Sequence, residues 1–414
     1  MNLSLRLRRV ALGVLLGSGI LSASAAPRVP ASDDEIVATL PGRIGPAARQ
    51  ERQWRAQLQQ QPGDLGLALQ LARRAIERAR RDGDPRELGV AQAALTPWWP
   101  QTDAPAPVRL LRATIRQSQH AFEPALAELD ALLAAPEMRV PLGVRAQAEL
   151  TRASVLQVLG RLAQASSGCE RLAEPRYAAL GAGVRWSAQV CLAELASLQG
   201  HAAEAVAALA ELADAPEARQ SDGAAGWLAL VRAELAERQG DAHAEQYFQQ
   251  ALRLQPDTYS RAAYADWLLD HDRAGEVLTL IAERDPTQLA DALLLRRAIA
   301  LQRQRDPAAA ATIATLQARF DAAHARGDNS HRREEARFLL LRGDTAGALT
   351  LARANWAQQR EPADARLLHD AALAAGQPDA AEPVWQHLRQ YHQSDARLGP
   401  PASAGTSTAK LARS

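Results

Sequence analysis

Along Gln239–Pro256, QGDAHAEQYFQQALRLQP, the apolar positions Ala244, Phe248 and Ala251 recur at intervals of four and three. That interval places them on one face of a helix. Gly240 and Asp241 before them predict a turn and an N-cap, because glycine takes turn dihedrals cheaply and Asp accepts from free amides. Pro256 stops the helix. The same pattern recurs along the chain. LQGHAAEAVAALAEL turns at Gly200 and aligns Ala205, Leu209 and Leu212. VLGRLAQASSGCERL turns at Gly160 and aligns Ala165, Cys169 and Leu172. Further copies turn at Gly343, with Ala348 and Ala352, and at Gly376, with Ala381, Trp385 and Leu388. Weaker ones turn near Gly83, Gln119, Asp272 and Arg305. Successive turns then lie 32 to 41 residues apart. No run alternates with period two, and β-branched residues are sparse. The pattern predicts an all-α solenoid of about nine helical hairpins. One hairpin cannot bury both faces of its apolar stripe, so neighbours must stack.

These residues resemble the tetratricopeptide repeat, a helix–turn–helix unit of about 34 residues that stacks into a right-handed superhelix. Ala244, Phe248, Ala251 and Pro256 fill the second-helix positions of that family, with one residue missing after Gly240. Leu368, Ala372, Gly376, Ala381 and Trp385 match a unit without a gap. Tyr264, Ala265 and Leu268 match a first helix, although its turn is Asp272-Arg273 instead of glycine. The resemblance covers about residues 60 to 392, and the wider turn spacings depart from the family length. It implies that each first helix lines a concave groove that grips a protein or peptide partner. In that frame the groove positions hold Glu194, Trp227, Glu234, Tyr259, Asp266, Arg333, Arg337, Arg366 and Asp370. Trp and Tyr supply contact area, and Arg supplies bidentate pairing with carboxylates. The Lys and Asn of the family's carboxylate clamp are absent from these positions, so chaperone-tail capture is not expected.

The chain has two cysteines, Cys169 and Cys191. An even count in an exported protein suggests a disulfide. In the repeat frame they fall on a second helix and on the next first helix, within bonding reach if the intervening loop absorbs the extra residues. Two buried free thiols are the alternative.

Export is read from the N-terminus. Arg6, Arg8 and Arg9 precede an apolar run from Val10 to Leu21, and Ala23-Ser24-Ala25 offers a cleavage site. Residues 1–25 are therefore expected to be a signal peptide and the mature protein periplasmic, with secretion as the alternative. Residues 26–62 are expected to cap the array, 63–392 to form the solenoid, and 393–414 to be a disordered tail rich in Pro, Gly, Ser and Thr. Losing three arginines takes the formal charge from +1 to −2, 45 basic residues against 47 acidic. A nucleic-acid binder usually carries a basic excess, so no such partner is expected.

Sharper readings meet ordinary ones. Trp98 and Trp99, between Pro97 and Pro100, suit a sugar platform but also suit packing over a helix end. His324, Asp328 and His331 have metal-ligand spacing, interrupted by a turn at Gly327. No serine-nucleophile, zinc-protease or phosphate-loop motif occurs. The expectation is a scaffold with no cofactor, no metal and no catalytic residues. A peptidoglycan- or carbohydrate-binding envelope protein, or the solenoid of a cell-wall enzyme, are the other readings.

Overall fold

The computed structural model describes residues 32, 45–282, 288–328 and 331–399. The expected signal peptide, residues 1–25, lies outside these residues. The chain divides into two units, one ending at Gln50 and one starting at Glu51, and the solenoid lies in the second.

Helix α1 (Pro46–Gln60) precedes nine hairpins among the described residues. The first four pair α2 (Leu65–Asp82) with α3 (Arg86–Ala94), α4 (Ala106–Ser118) with α5 (Phe122–Ala134), α6 (Leu142–Val158) with α7 (Leu162–Leu172), and α8 (Ala182–Ser197) with α9 (Ala202–Asp214). Next come α10 (Asp222–Gln239) with α11 (Ala244–Leu254), and α12 (Thr258–Asp270) with α13 (Ala274–Ile281). Then α14 (Asp291–Arg303) pairs with α15 (Ala308–Ala325), α16 (Arg332–Arg342) with α17 (Thr345–Trp356), and α18 (Pro362–Ala374) with α19 (Glu382–Gln390). No strand occurs among the described residues. The protein is an all-α solenoid of helical hairpins.

Local chemistry sets these elements. Asp64, Asp257 and Asp344 cap α2, α12 and α17 by accepting backbone amides three residues on. Every hairpin turn contains a residue with positive φ. Six are glycines, from Gly83 to Gly376, and three are His120, Asp272 and Arg305, with φ of 56 to 58°. The left-handed region costs a residue with a Cβ about 1–2 kcal/mol, so packing of the flanking helices must hold these three. The alanines of the repeat pattern let helices close up. Ala125, Ala165, Ala244, Ala251 and Ala348 are fully buried. Gly168 of α7 sits so near α6 that an added Cβ would lie 3.5 Å from that of Ala153.

Turns of the first five hairpins also meet later parts of the chain. Thr258 Oγ1 donates to the Arg81 carbonyl at 3.1 Å. Gln359 and His120 share a hydrogen bond of 3.1 Å, and the Arg360 amide donates to the Val158 carbonyl at 2.8 Å. Tyr391 Oη donates to the Gly160 carbonyl at 3.1 Å, Gln393 Nε2 to the Leu198 carbonyl at 2.5 Å, and the Ala396 amide to the Arg238 carbonyl at 2.8 Å. Residues 393–399 were expected within the disordered tail, and their placement differs. Asp395 is buried against Arg366, and Leu398 joins the core beneath α18. The polar side chains Gln393, Ser394 and Asp395 read as solvated in sequence, yet each has a partner on a helix or turn distant in the chain.

Candidate functional site

First helices of successive hairpins form one wall. It carries Gln157 of α6, Glu194 of α8, Glu234, Glu237 and Arg238 of α10, and Tyr259 and Asp266 of α12. Arg80 of α2, Arg296 of α14, Arg333 and Glu334 of α16, Arg366 of α18 and the Arg360–Glu361 loop join them in lining a cavity of ≈ 340 Å³. What the hairpin pattern suggests as an open groove is thus narrowed by the later hairpins and by Gln393.

The charges fall into groups. Arg366 donates through Nε to Asp395 at 2.8 Å and lies 2.8 Å from Glu237 through Nη1. Arg333 donates through Nε to Asp364 at 2.6 Å and through Nη2 to Glu361 at 2.5 Å. Asp266 reverses the ratio, accepting from Arg296 at 2.6 Å and from Arg337 at 2.7 Å. Among the described residues Arg238 has no acidic partner within ion-pair distance, and it donates to Ser197 Oγ at 2.7 Å. Glu194 accepts from Gln157 Nε2 at 2.6 Å, and Glu234 accepts from Tyr259 Oη at 2.9 Å.

These neighbours decide where the carboxyls titrate. Burial would raise Asp266, but Arg296 and Arg337 outweigh it and hold the acid well below the usual carboxylate range. Glu194 has only the Gln157 amide and the more distant Arg238 to oppose burial, so it is raised. Glu234 is pushed up to about 7 by burial and by the nearby Glu194. Glu237 is raised by burial in spite of Arg366.

Six of the nine groove positions line this cavity: Glu194, Glu234, Tyr259, Asp266, Arg333 and Arg366. The other three do not. Trp227 packs edge-on to Trp186, with ring centres 6.3 Å apart. Arg337 stands behind Asp266, and Asp370 pairs with Arg397 at 2.6 Å. Arg80, Gln157, Glu237 and Arg238 were absent from the expected set, although each lies in the last turn of its first helix. Arg360 and Glu361 come from a loop and had no periodic signal.

Cys169 of α7 and Cys191 of α8 are joined by a disulfide, with Cα atoms 6.1 Å apart. Trp98 and Trp99 are half-buried against the core of α2 and α3. His324 pairs with Glu335 at 3.0 Å. Among the described residues no group of three or more His, Cys, Asp or Glu is placed to hold a metal. No helix among them is long and apolar enough to cross a membrane.

No family model matches the chain, and no curated protein matches it. Among solved structures it is similar to IFIT1, a monomeric mutant with Gppp-AAAA, at 13% identity and a TM-score of 0.34 over 79% of each chain. A likeness that loose bears on neither ligand nor mechanism.

Proposed function

We propose that the protein is an exported scaffold of tetratricopeptide type that holds a protein or peptide partner by admitting a short polar segment into its interior cavity. The observation that carries this reading is the convergence of six groove positions on one cavity lined by charged and hydrogen-bonding groups. A volume of ≈ 340 Å³ is near the lower end of ligand pockets, about 300–1,000 Å³. It suits a chain end or one long side chain better than an extended peptide. The basic, apolar and small-residue order of residues 1–25 supports export to the periplasm. The carbohydrate reading rested on Trp98 and Trp99, and their packing against the first hairpin favours it less.

Ala363 is an exposed residue on the cavity lining, so a large side chain there fills the space without entering the core. Ala363→Trp is expected to reduce partner recovery from a cell-envelope extract at least tenfold while helicity by circular dichroism stays the same. Recovery equal to that of the parent protein would exclude the cavity as the binding site.

A further inference from the structure

We propose that the cavity is a receptor site for a primary ammonium group, held between the carboxylates of Glu194 and Glu234 beside the ring of Tyr259. This inference rests on the reading of the cavity as the entry point and adds the chemistry of what enters.

Three of the groups around the cavity carry two carboxylates for one arginine. Glu237 and Asp395 share Arg366, and Glu361 and Asp364 share Arg333. Glu194 and Glu234 have only Arg238 nearby. The arginine surplus at Asp266 is offset by Glu334, 3.8 Å from Arg296. Arg80 and Arg360 also line the cavity and offset part of this acidic excess, but Glu194 and Glu234 remain distinct, because neither has an ion-pair partner among the described residues. Only one oxygen of each accepts a hydrogen bond, and its donor is neutral. Two carboxylate oxygens are left for a cation with several N–H donors. An ammonium has three and is compact.

A second observation comes from the opposite polarity. The Arg366 side chain is 9% exposed and lines the same cavity, and its Nη2 has no hydrogen-bond partner. Its other terminal nitrogen is fixed on Glu237, one turn along α10 from Glu234. A buried donor left unsatisfied is costly, so an incoming acceptor is favoured there. An ammonium with a carbonyl oxygen close to it brings donors for the carboxylates and an acceptor for Arg366, and a peptide amino terminus has that form. Tyr259 adds a ring with half its surface accessible, which attracts a cation through its face. The raised carboxyls of Glu194 and Glu234 fit the same picture, since a bound cation restores their ionised forms.

The source of the ammonium, a chain terminus or a lysine side chain, is separated by three probes. Calorimetric titration of the full chain at pH 7 uses trialanine amide, N-acetylated alanyl-lysyl-alanine amide and N-acetyltrialanine amide. The α-amino group, with a pKa of about 7.7–8.0, is still largely charged there. Binding of the first alone assigns the site to amino termini. Binding of the second, alone or with the first, extends it to lysine or assigns it there. In each case the third probe does not bind. Glu194→Gln with Glu234→Gln then weakens binding at least tenfold, and both replacements keep shape and hydrogen bonding. No binding by either charged probe, equal binding of all three, or unchanged affinity in the double variant would overturn the proposal. Loss of the ammonium site with Ala363→Trp still blocking partner recovery would leave the scaffold reading standing.

Discussion

Arg333→Met is expected to destabilise the folded protein by about 3–5 kcal/mol, the usual cost of removing one partner from a buried ion pair. The methionine keeps most of the side-chain volume and removes the charge. Asp364, whose side chain is 0% exposed, then loses both guanidinium contacts, at 2.6 and 2.8 Å. It retains only Asn355 Nδ2 at 2.7 Å and the Glu361 amide at 3.0 Å. Urea midpoints followed by circular dichroism measure the loss. A second replacement, Asp364→Asn, removes the stranded charge but keeps an acceptor, and it is expected to recover more than half of the stability. The exposed pair Arg389–Glu382 is the control, because both side chains are about half accessible and Arg389→Ala should change little. Similar losses at Arg333 and Arg389 would contradict the importance given to burial.

Replacing Cys169 and Cys191 together by alanine is expected to cost about 3 kcal/mol, the loop-closure value for a separation of 22 residues. Both positions are buried, so alanine avoids placing a hydroxyl in the core. The bond ties α7 to α8 and therefore joins the third hairpin to the fourth. Reductant should lower the urea midpoint of the parent protein by the same amount and leave the alanine variant unchanged. Two alkyl groups added under denaturing, non-reducing conditions would show instead that the thiols are free.

Much of the hairpin frame was legible because its cause is local. Apolar residues at intervals of three and four make a helix stripe, and glycine at Gly160, Gly200, Gly240 and Gly343 makes the αL turn. At three of the nine turns a glycine satisfies a further demand, and at Gly160 an added Cβ would stand 2.8 Å from Cδ of Arg360. A Cβ at Gly83 would stand 2.6 Å from that of Ala290, and one at Gly200 would stand 2.7 Å from that of His392. These contacts join residues far apart in sequence, and no periodicity encodes them. His120, Asp272 and Arg305 show the converse, since packing holds their turns without glycine.

The candidate site was legible in part for a related reason. The repeat frame identifies which helix face turns inward, so it finds Glu194, Glu234, Tyr259 and Asp266 on the cavity wall. It selects Trp227 on the same grounds, but a neighbouring indole, Trp186, is available to it and the two rings pack together. Asp370 is drawn off by Arg397, from a segment whose composition suggests disorder. The closing of the groove depends on Arg360, Glu361 and Gln393, and all three follow from long-range packing.

If the partner enters the interior of the solenoid, a photo-crosslinking side chain at position 259 will capture it. Tyr259 lines the cavity and has half its surface accessible, so benzoylphenylalanine there would meet whatever enters. The same group in place of Val206, equally accessible but on α9 and outside the cavity lining, is the comparison. Irradiation of the protein in a cell-envelope extract should give one discrete adduct from position 259, none from position 206, and none from position 259 when Ala363→Trp fills the cavity. An adduct from position 206 with none from position 259 would contradict interior entry and move the binding surface to the outside of the array.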